Sequence, residues 1–334
     1  MSGNSTIIST RIRLARNIDG LPFPHKMSDV HARKVTESVA RAVDGVDRFS
    51  RFDMGKLQLL DKSILLEKHL ISPDLAESPL GSVLIDPDET VSLMINEEDH
   101  IREQVIMPGL SLDQAYDRIN KIDDVLAKNL KFAYSTQFGY LTACATNLGT
   151  GMRASVMMFL PALTILKRLD AAINAVGRLN MTVRGVYGEG SKADGFLYQI
   201  SNQHTLGLKE SEIIDSVRSA IHHISEAEMA ARELLKRDER EIKDNICRAW
   251  GLALNAYSMG TDEAMRHLAM IKLGDYYGYI NITDENAFQK LITHIQPANM
   301  QFIAGKNMDP EERDVLRARY ISSNLTTLAK RNNL

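Results

Sequence analysis

The sequence predicts an α+β unit followed by an all-helical one. Short apolar strands bounded by turn residues concentrate before about residue 205. Amphipathic helical spacing dominates after it. The solvated charge run Lys236-Arg237-Asp238-Glu239-Arg240-Glu241 marks a boundary. The chain has 334 residues, room for one large domain and a smaller one, and we place these at 1–233 and 234–334. A hydrophobic fraction of 44% with 25% charged residues is that of an ordinary globular protein and excludes a disordered or fibrous chain.

The elements follow in order. Ser28 or Asp29 caps a helix running to about Val46, with Val35, Val39 and Val43 at helical spacing. Ser82–Ile85 and Val91–Ile95 read as strands around the turn Asp86-Pro87-Asp88-Glu89, hence a hairpin. Ser111-Leu112-Asp113-Gln114 reads as a capping box opening a helix to about Leu130. Met152 to Leu179 carries a long helical pattern with a break at Pro161. Thr182–Tyr187 and Phe196–Ser201 read as strands on either side of a glycine-rich segment. Helices are then expected at Glu210–Leu235, Ile242–Tyr257, Asp262–Leu273, Asn286–Ile295 and Glu311–Leu328.

The net charge of -3 argues against a nucleic-acid face at the whole-chain level. Two cysteines, Cys144 and Cys247, exclude a disulfide scaffold and point to a reducing compartment. The first residues lack the basic and apolar regions of a signal peptide. The longest apolar stretch, Val156–Leu166, is too short to span a bilayer. The expectation is a cytoplasmic protein.

Four segments carry chemistry. In Arg11-Ile12-Arg13, a strand would aim both guanidinium groups at one face, which suits bidentate phosphate binding; a solvated edge strand is the other reading. Asn96-Glu97-Glu98-Asp99-His100-Ile101-Arg102 packs three carboxylates in a row. These repel unless a cation such as Mg²⁺ or a guanidinium neutralises them; otherwise the run is an acidic loop in water. Cys144-Ala145-Thr146-Asn147-Leu148-Gly149-Thr150-Gly151-Met152-Arg153 offers a Gly-x-Gly before a helical pattern, either an anion cradle or a simple turn. Arg184-Gly185-Val186-Tyr187-Gly188-Glu189-Gly190-Ser191 places a carboxylate among glycines, on a closing loop or at a plain hairpin tip.

Together, and in this order, the four segments resemble the guanidino kinases, the ATP:guanido phosphotransferase family of creatine and arginine kinases. Within it the chain is similar to the protein-arginine kinase (McsB-type) branch. That likeness rests on Glu67-Lys68-His69-Leu70-Ile71-Ser72-Pro73, Arg153-Ala154-Ser155-Val156-Met157, Leu160-Pro161-Ala162-Leu163 and Arg313-Asp314-Val315-Leu316-Arg317-Ala318. The resemblance implies a glutamine-synthetase-like catalytic domain, a central antiparallel sheet flanked by helices, with a helical dimerisation and regulatory domain behind it. With the first arginine motif at Arg11, no helical substrate-enclosing domain of the creatine-kinase kind is expected before it, so a site open to an arginine on another protein is anticipated.

By the same resemblance, Glu98 grips the guanidinium and takes its proton, Glu189 is the second clamp, and Cys144 is the reactive cysteine. Arg11, Arg13, Arg102, Arg153 and Arg184 bind the phosphates of ATP. Glu97 and Asp99 hold Mg²⁺, partly through water. Arg313, Asp314 and Arg317 form a regulatory phosphoarginine pocket; an ordinary helix surface with paired charges is the alternative. Partners implied are protein substrates, a Clp-type unfoldase, a zinc-containing McsA-type adaptor, a CtsR-type repressor and a second copy of the chain. Two departures stand out: Ala145 replaces a common proline, and Met157 stands where creatine-type kinases carry histidine, so adenine contacts cannot be transferred. A kinase for a free guanidino compound and a degenerate phosphoarginine reader are the rival functions.

Overall fold

The computed structural model describes residues 6–46, 48–177, 179–185 and 194–332. The N-terminal two-thirds is built on an eight-stranded sheet in the order β2-β3-β4-β5-β1-β8-β10-β9. Its strands are β1 (Ile7–Arg16), β2 (Ser50–Asp53), β3 (Ser82–Ile85), β4 (Val91–Ile95), β5 (Ile101–Pro108), β8 (Met152–Phe159), β9 (Met181–Gly185) and β10 (Leu197–Asn202). Every pairing within it is antiparallel. Two short strands, β6 (Tyr134–Ser135) and β7 (Gly139–Tyr140), make a separate hairpin.

Strand alternation gives the sheet two different faces. On one, Ile12, Leu14, Leu93, Val105, Ala154, Val156 and Ile200 are buried. They meet the apolar stripes of α1 (Asp29–Ala42), α4 (Leu112–Asn129) and α7 (Glu210–Lys236), which supply Val35, Ile119, Ile122, Val217 and Ile221. The other face is partly covered by the corner between α2 (Leu59–Glu67) and α3 (Pro73–Glu77), where Leu70, Ile71 and Leu75 pack on Val83 and Met94. The rest of that face carries the polar residues discussed below.

The hairpin, α1 and α7 lie where the sequence places them. Ser28 accepts a 3.4 Å bond from the His31 amide, and α1 stops at Ala42, short of the expected Val46. Three expectations are corrected. Met152–Phe159 is a strand, not helix; its apolar residues alternate, with Ala154, Val156 and Met158 buried on the helix-packed face. Helix begins only at Pro161, in α5 (Pro161–Ile165) and α6 (Leu169–Gly177). Strand β1 is no solvated edge, since β5 and β8 flank it. The capping box at Ser111 does not form: its hydroxyl donates to the Pro108 carbonyl at 2.8 Å and caps nothing.

Helix α7 runs past the expected boundary at 233/234 to Lys236. The C-terminal region comprises α8 (Glu239–Asn255), α9 (Thr261–Tyr276), α10 (Glu285–His294), α11 (Pro297–Ala304) and α12 (Pro310–Leu328). A small sheet of β11 (Ile280–Ile282) and β12 (Ala329–Arg331) closes it, unforeseen because three-residue strands carry too little pattern. Its core, around Leu268, Ile271, Phe288 and Ile321, also takes in Phe159 from the end of β8.

Candidate active site

The five arginines singled out above stand on one face of the sheet. Arg13 lies directly opposite Arg153 on β8 and Gln104 on β5, and Arg102 is two residues from Gln104. Arg11 is two residues from Arg13, and Arg184 on β9 pairs with Gln199, itself opposite Met157. Directly opposed residues in an antiparallel pair share a face, so register alone collects these cations.

Their partners are mostly neutral. Arg11 donates to the Gln199 amide oxygen. Arg153 donates through Nε and Nη2 to the Ser201 hydroxyl at 3.3 and 3.0 Å. The Nε of Arg13 is buried with no partner among the described residues. Burial, with Arg153 and Arg102 nearby, pushes the Arg11 guanidinium down to about 10. Arg13 is also lowered, by burial first and then by Arg11, Arg102 and Arg153, with Glu97 opposing. Arg153 is lowered by burial and by Arg184 and Arg102. Such crowding of like charge is relieved by a polyanion.

Arg102 is ion-paired. It donates to Glu97 at 2.7 Å and to Glu98 at 3.0 Å. Glu97 is fully buried; the same oxygen accepts the Ser72 hydroxyl at 2.7 Å, and its other oxygen has no partner. Glu98 keeps 38% of its side chain exposed. Burial raises its carboxyl, Arg102 opposes this, and Asp99 and Glu97 add to it. Asp99 is fully buried and braces two loops, accepting from Asn17 at 2.6 Å and the Ala143 amide at 2.7 Å. His100 is likewise internal: Nδ1 accepts the Ile18 amide at 2.9 Å, so Nε2 donates to the Pro22 carbonyl at 2.8 Å. Burial lowers its imidazolium.

Carboxylate oxygens are the donors a Mg²⁺ ion takes. Glu97 and Asp99 each retain one unpaired oxygen, but no group of three or more ligating side chains is assembled among the described residues. These two fit a metal that brings most of its ligands as phosphate oxygens and water. In each the other oxygen is committed, Asp99's to Asn17 and the Ala143 amide and Glu97's to Arg102 and Ser72.

Cys144 is half-buried, with Sγ 3.0 Å from the Thr146 hydroxyl. The Gly-x-Gly after it leads into β8, not into a helix, so it offers no helix N-terminus to an anion. Its glycines serve close packing instead. Gly149 has φ +103, and a Cβ there would stand 2.5 Å from the Thr205 carbonyl oxygen. A cavity of about 200 Å³ brings Glu98 and Cys144 together with Arg13, Arg102, Asn147 and Arg153. A second, of about 500 Å³, adjoins it, with Arg11, Arg13, Arg102 and Gln104 on one wall and Leu66, Glu67, His69 and Ser72 on the other. Burial, and then Arg11, push the His69 imidazole down to about 4. Arg184 is exposed at the sheet edge, and Glu189 lies outside the described residues.

Sequence reasoning missed Glu67, Ser72, Gln104, Gln199 and Ser201 as site residues. The first two lie in a segment noted only for its likeness to a branch of the family. The others are isolated polar residues whose role depends on strand register.

In the helical region, Arg317 is buried and donates to the carbonyls of Ile295 at 2.7 Å and Met259 at 2.9 Å, and to Asp314. Arg313 is half-buried and donates to the Met308 carbonyl at 3.3 Å.

Residues 31–231 match the model of the ATP:guanido phosphotransferase C-terminal catalytic domain, and residues 239–334 that of the protein-arginine kinase McsB C-terminal domain. The chain belongs to the ATP:guanido phosphotransferase family and is a guanido kinase. A curated relative named protein-arginine kinase, from Caldanaerobacter subterraneus subsp. tengcongensis, is 45% identical over 96% of both chains. Another of that name, from Halothermothrix orenii, is 43% identical over 96% of this chain and 93% of its own. Among solved structures, a duplicated taurocyamine kinase from Schistosoma mansoni superposes with a TM-score of 0.61 at 28% identity, over 67% of this chain and 33% of that one. A lombricine kinase gives 0.61 at 25% identity, over 68% and 67%.

Proposed function

We propose that the protein transfers the γ-phosphate of ATP to the guanidinium of arginine side chains in other proteins. The observation that carries this is the pair of adjoining cavities, in which crowded arginines face a polyanion site while Glu98 stands at its edge. A guanidinium is protonated at neutral pH and a poor nucleophile. Glu98 grips its planar fork and accepts the proton released as the nitrogen attacks phosphorus. The bond to the leaving ADP oxygen breaks as the N–P bond forms. Arg11, Arg13, Arg102, Arg153 and Arg184 hold the phosphates and offset the charge of transfer. A Mg²⁺ ion carried with the nucleotide supplies further neutralisation, and Glu97 is the carboxylate proposed to face it. Cys144 sits beside the guanidinium path, and Glu189 is the proposed second clamp.

Several further readings belong to the same proposal. The helical region pairs two copies into a homodimer, with the working division of the chain at 233/234. Arg313 and Asp314 form the reachable part of a phosphoarginine pocket. Because Arg317 is internally bonded, it shapes that pocket from behind. Marked proteins pass to a Clp-type unfoldase, with a McsA-type adaptor and a CtsR-type repressor as stress-response partners, in the cytoplasm. No helix among the described residues is long and apolar enough to cross a membrane.

The test is direct. With Mg-ATP and an unfolded protein, acid-labile phosphorus should appear on arginine by mass spectrometry. Glu98→Ala should lower the rate by roughly two orders of magnitude or more. Label confined to serine, threonine or free arginine would overturn the assignment.

A further inference from the structure

The carboxylate of Glu67 closes α2, lines the larger arginine cavity, and yet binds the C-terminal region. It accepts from the Ala298 amide at 2.7 Å, the Asn299 amide at 2.9 Å and the Asn299 side-chain amide at 2.7 Å. These donors form the first turn of α11, a helix whose own N-cap, Gln296, makes no side-chain cap bond. Glu67 thus does for α11 what a capping residue does, from 231 positions away.

The segment that follows Glu67 is the cavity wall. The His69 carbonyl accepts from Gln104 at 2.8 Å, two residues from Arg102 on β5. Ser72 donates to Glu97, the partner of Arg102. The wall is therefore pinned at three points: to the sheet by His69, to the carboxylate run by Ser72, and to the helical region by Glu67. The third pin has a second consequence. A carboxylate at this place, if unbound, would be drawn to the cavity's arginines and would oppose an incoming polyphosphate. The α11 N-terminus holds it aside with three hydrogen bonds and a favourable dipole.

We propose that Glu67 is a positioning residue through which α11 of the helical region keeps the nucleotide cavity open. This rests on the nucleotide reading of that cavity given above. Loosening α11 releases the carboxylate into the cavity and weakens ATP binding, whereas the phosphoryl-transfer geometry at Glu98 is left in place.

The experiment uses the full chain, ATP titrations of initial rate, and direct titration with a fluorescent ATP analogue. Asn299→Asp sets a second carboxylate against Glu67 and should raise the KM for ATP roughly tenfold, the scale of losing a charge-assisted hydrogen bond. The kcat and the KM for the protein substrate should move less than about twofold. Glu67→Gln, which keeps one accepting oxygen and removes the charge, should weaken ATP binding less than Asn299→Asp does. Added to Asn299→Asp, it should bring the KM back toward the wild-type value. If Asn299→Asp fails to fold, Asn299→Ala, which removes one of the three bonds, should raise the ATP KM by a smaller factor in the same direction. An unchanged ATP KM in both Asn299 variants, or losses shared equally by ATP KM, protein KM and kcat, would overturn the proposal. A wild-type chain that binds no ATP analogue would instead overturn the nucleotide reading beneath it.

Discussion

As the proposed base, Glu98 is a side chain tuned for chemistry at the expense of stability. Its carboxyl is raised by burial, against the pull of Arg102, and by the acidic neighbours Asp99, Glu97 and Asp74. A base must be ionised, so the acid limb of the rate profile should lie above the ordinary glutamate value of about 4.3. For folding the sign is opposite. A raised folded-state pKa favours the protonated carboxyl in the native protein, so stability falls as pH rises from the unfolded pKa through the folded one. Glu98→Gln should therefore be inactive but melt no lower than the wild type at pH 8; a clearly lower melting point would mean that the carboxylate is net stabilising. The carboxylate run stands out in the sequence, but alone it reads equally well as an acidic loop in water, and only the family resemblance singles out Glu98 within it. Glu67 was not legible: it reads as an ordinary helix-end acid, and only the tertiary fold brings the α11 amides to it.

At the scale of elements, β8 is the instructive one. Its eight residues include six apolar ones, and the sequence reading joined them to the helices that follow. What decides for strand is register between β1 and β10, a non-local property that periodicity does not see. Placing Arg153 on a strand is also what sets it opposite Arg13. The loop before β8 depends on backbone contact. Gly149→Ala would add a Cβ 2.5 Å from the Thr205 oxygen at a φ of +103. We expect a loss of about 1–3 kcal/mol from strain at this one position. Displacement of the Cys144 loop should lower kcat more than the ATP KM. Equilibrium unfolding and steady-state kinetics check the two halves; wild-type kcat would show that the loop tolerates movement.

The whole molecule is tied across its two cores at a buried ion pair. Glu228 accepts from the Ala162 and Leu163 amides at 3.0 and 2.9 Å and from Arg232 at 2.8 Å, beneath Tyr276. Burial raises the Glu228 carboxyl against these partners. Glu228→Ala would remove the carboxylate beside the buried Arg232 cation and uncap α5, at a cost of about 2–4 kcal/mol in denaturant unfolding. Glu228→Gln should recover part of this, because it keeps the helix cap. A loss below about 1 kcal/mol would show that water reaches the arginine. The sheet-then-helices order was legible from periodicity, since strand and helix patterns segregate along the chain. The ties between the parts were not, because each joins residues that have no pattern in common.

One consequence of the one-sided arginine array is thermodynamic. Arg11, Arg13 and Arg153 repel one another, and Gln199 and Ser201 can solvate but cannot neutralise them. Polyphosphate chains should therefore act as thermal ballast even without adenine. Tripolyphosphate should raise the melting temperature more than equimolar orthophosphate, each tenfold excess over Kd adding about 1.4 kcal/mol. Scanning calorimetry at low ionic strength would read the lattice's appetite for anions directly, with no turnover at all.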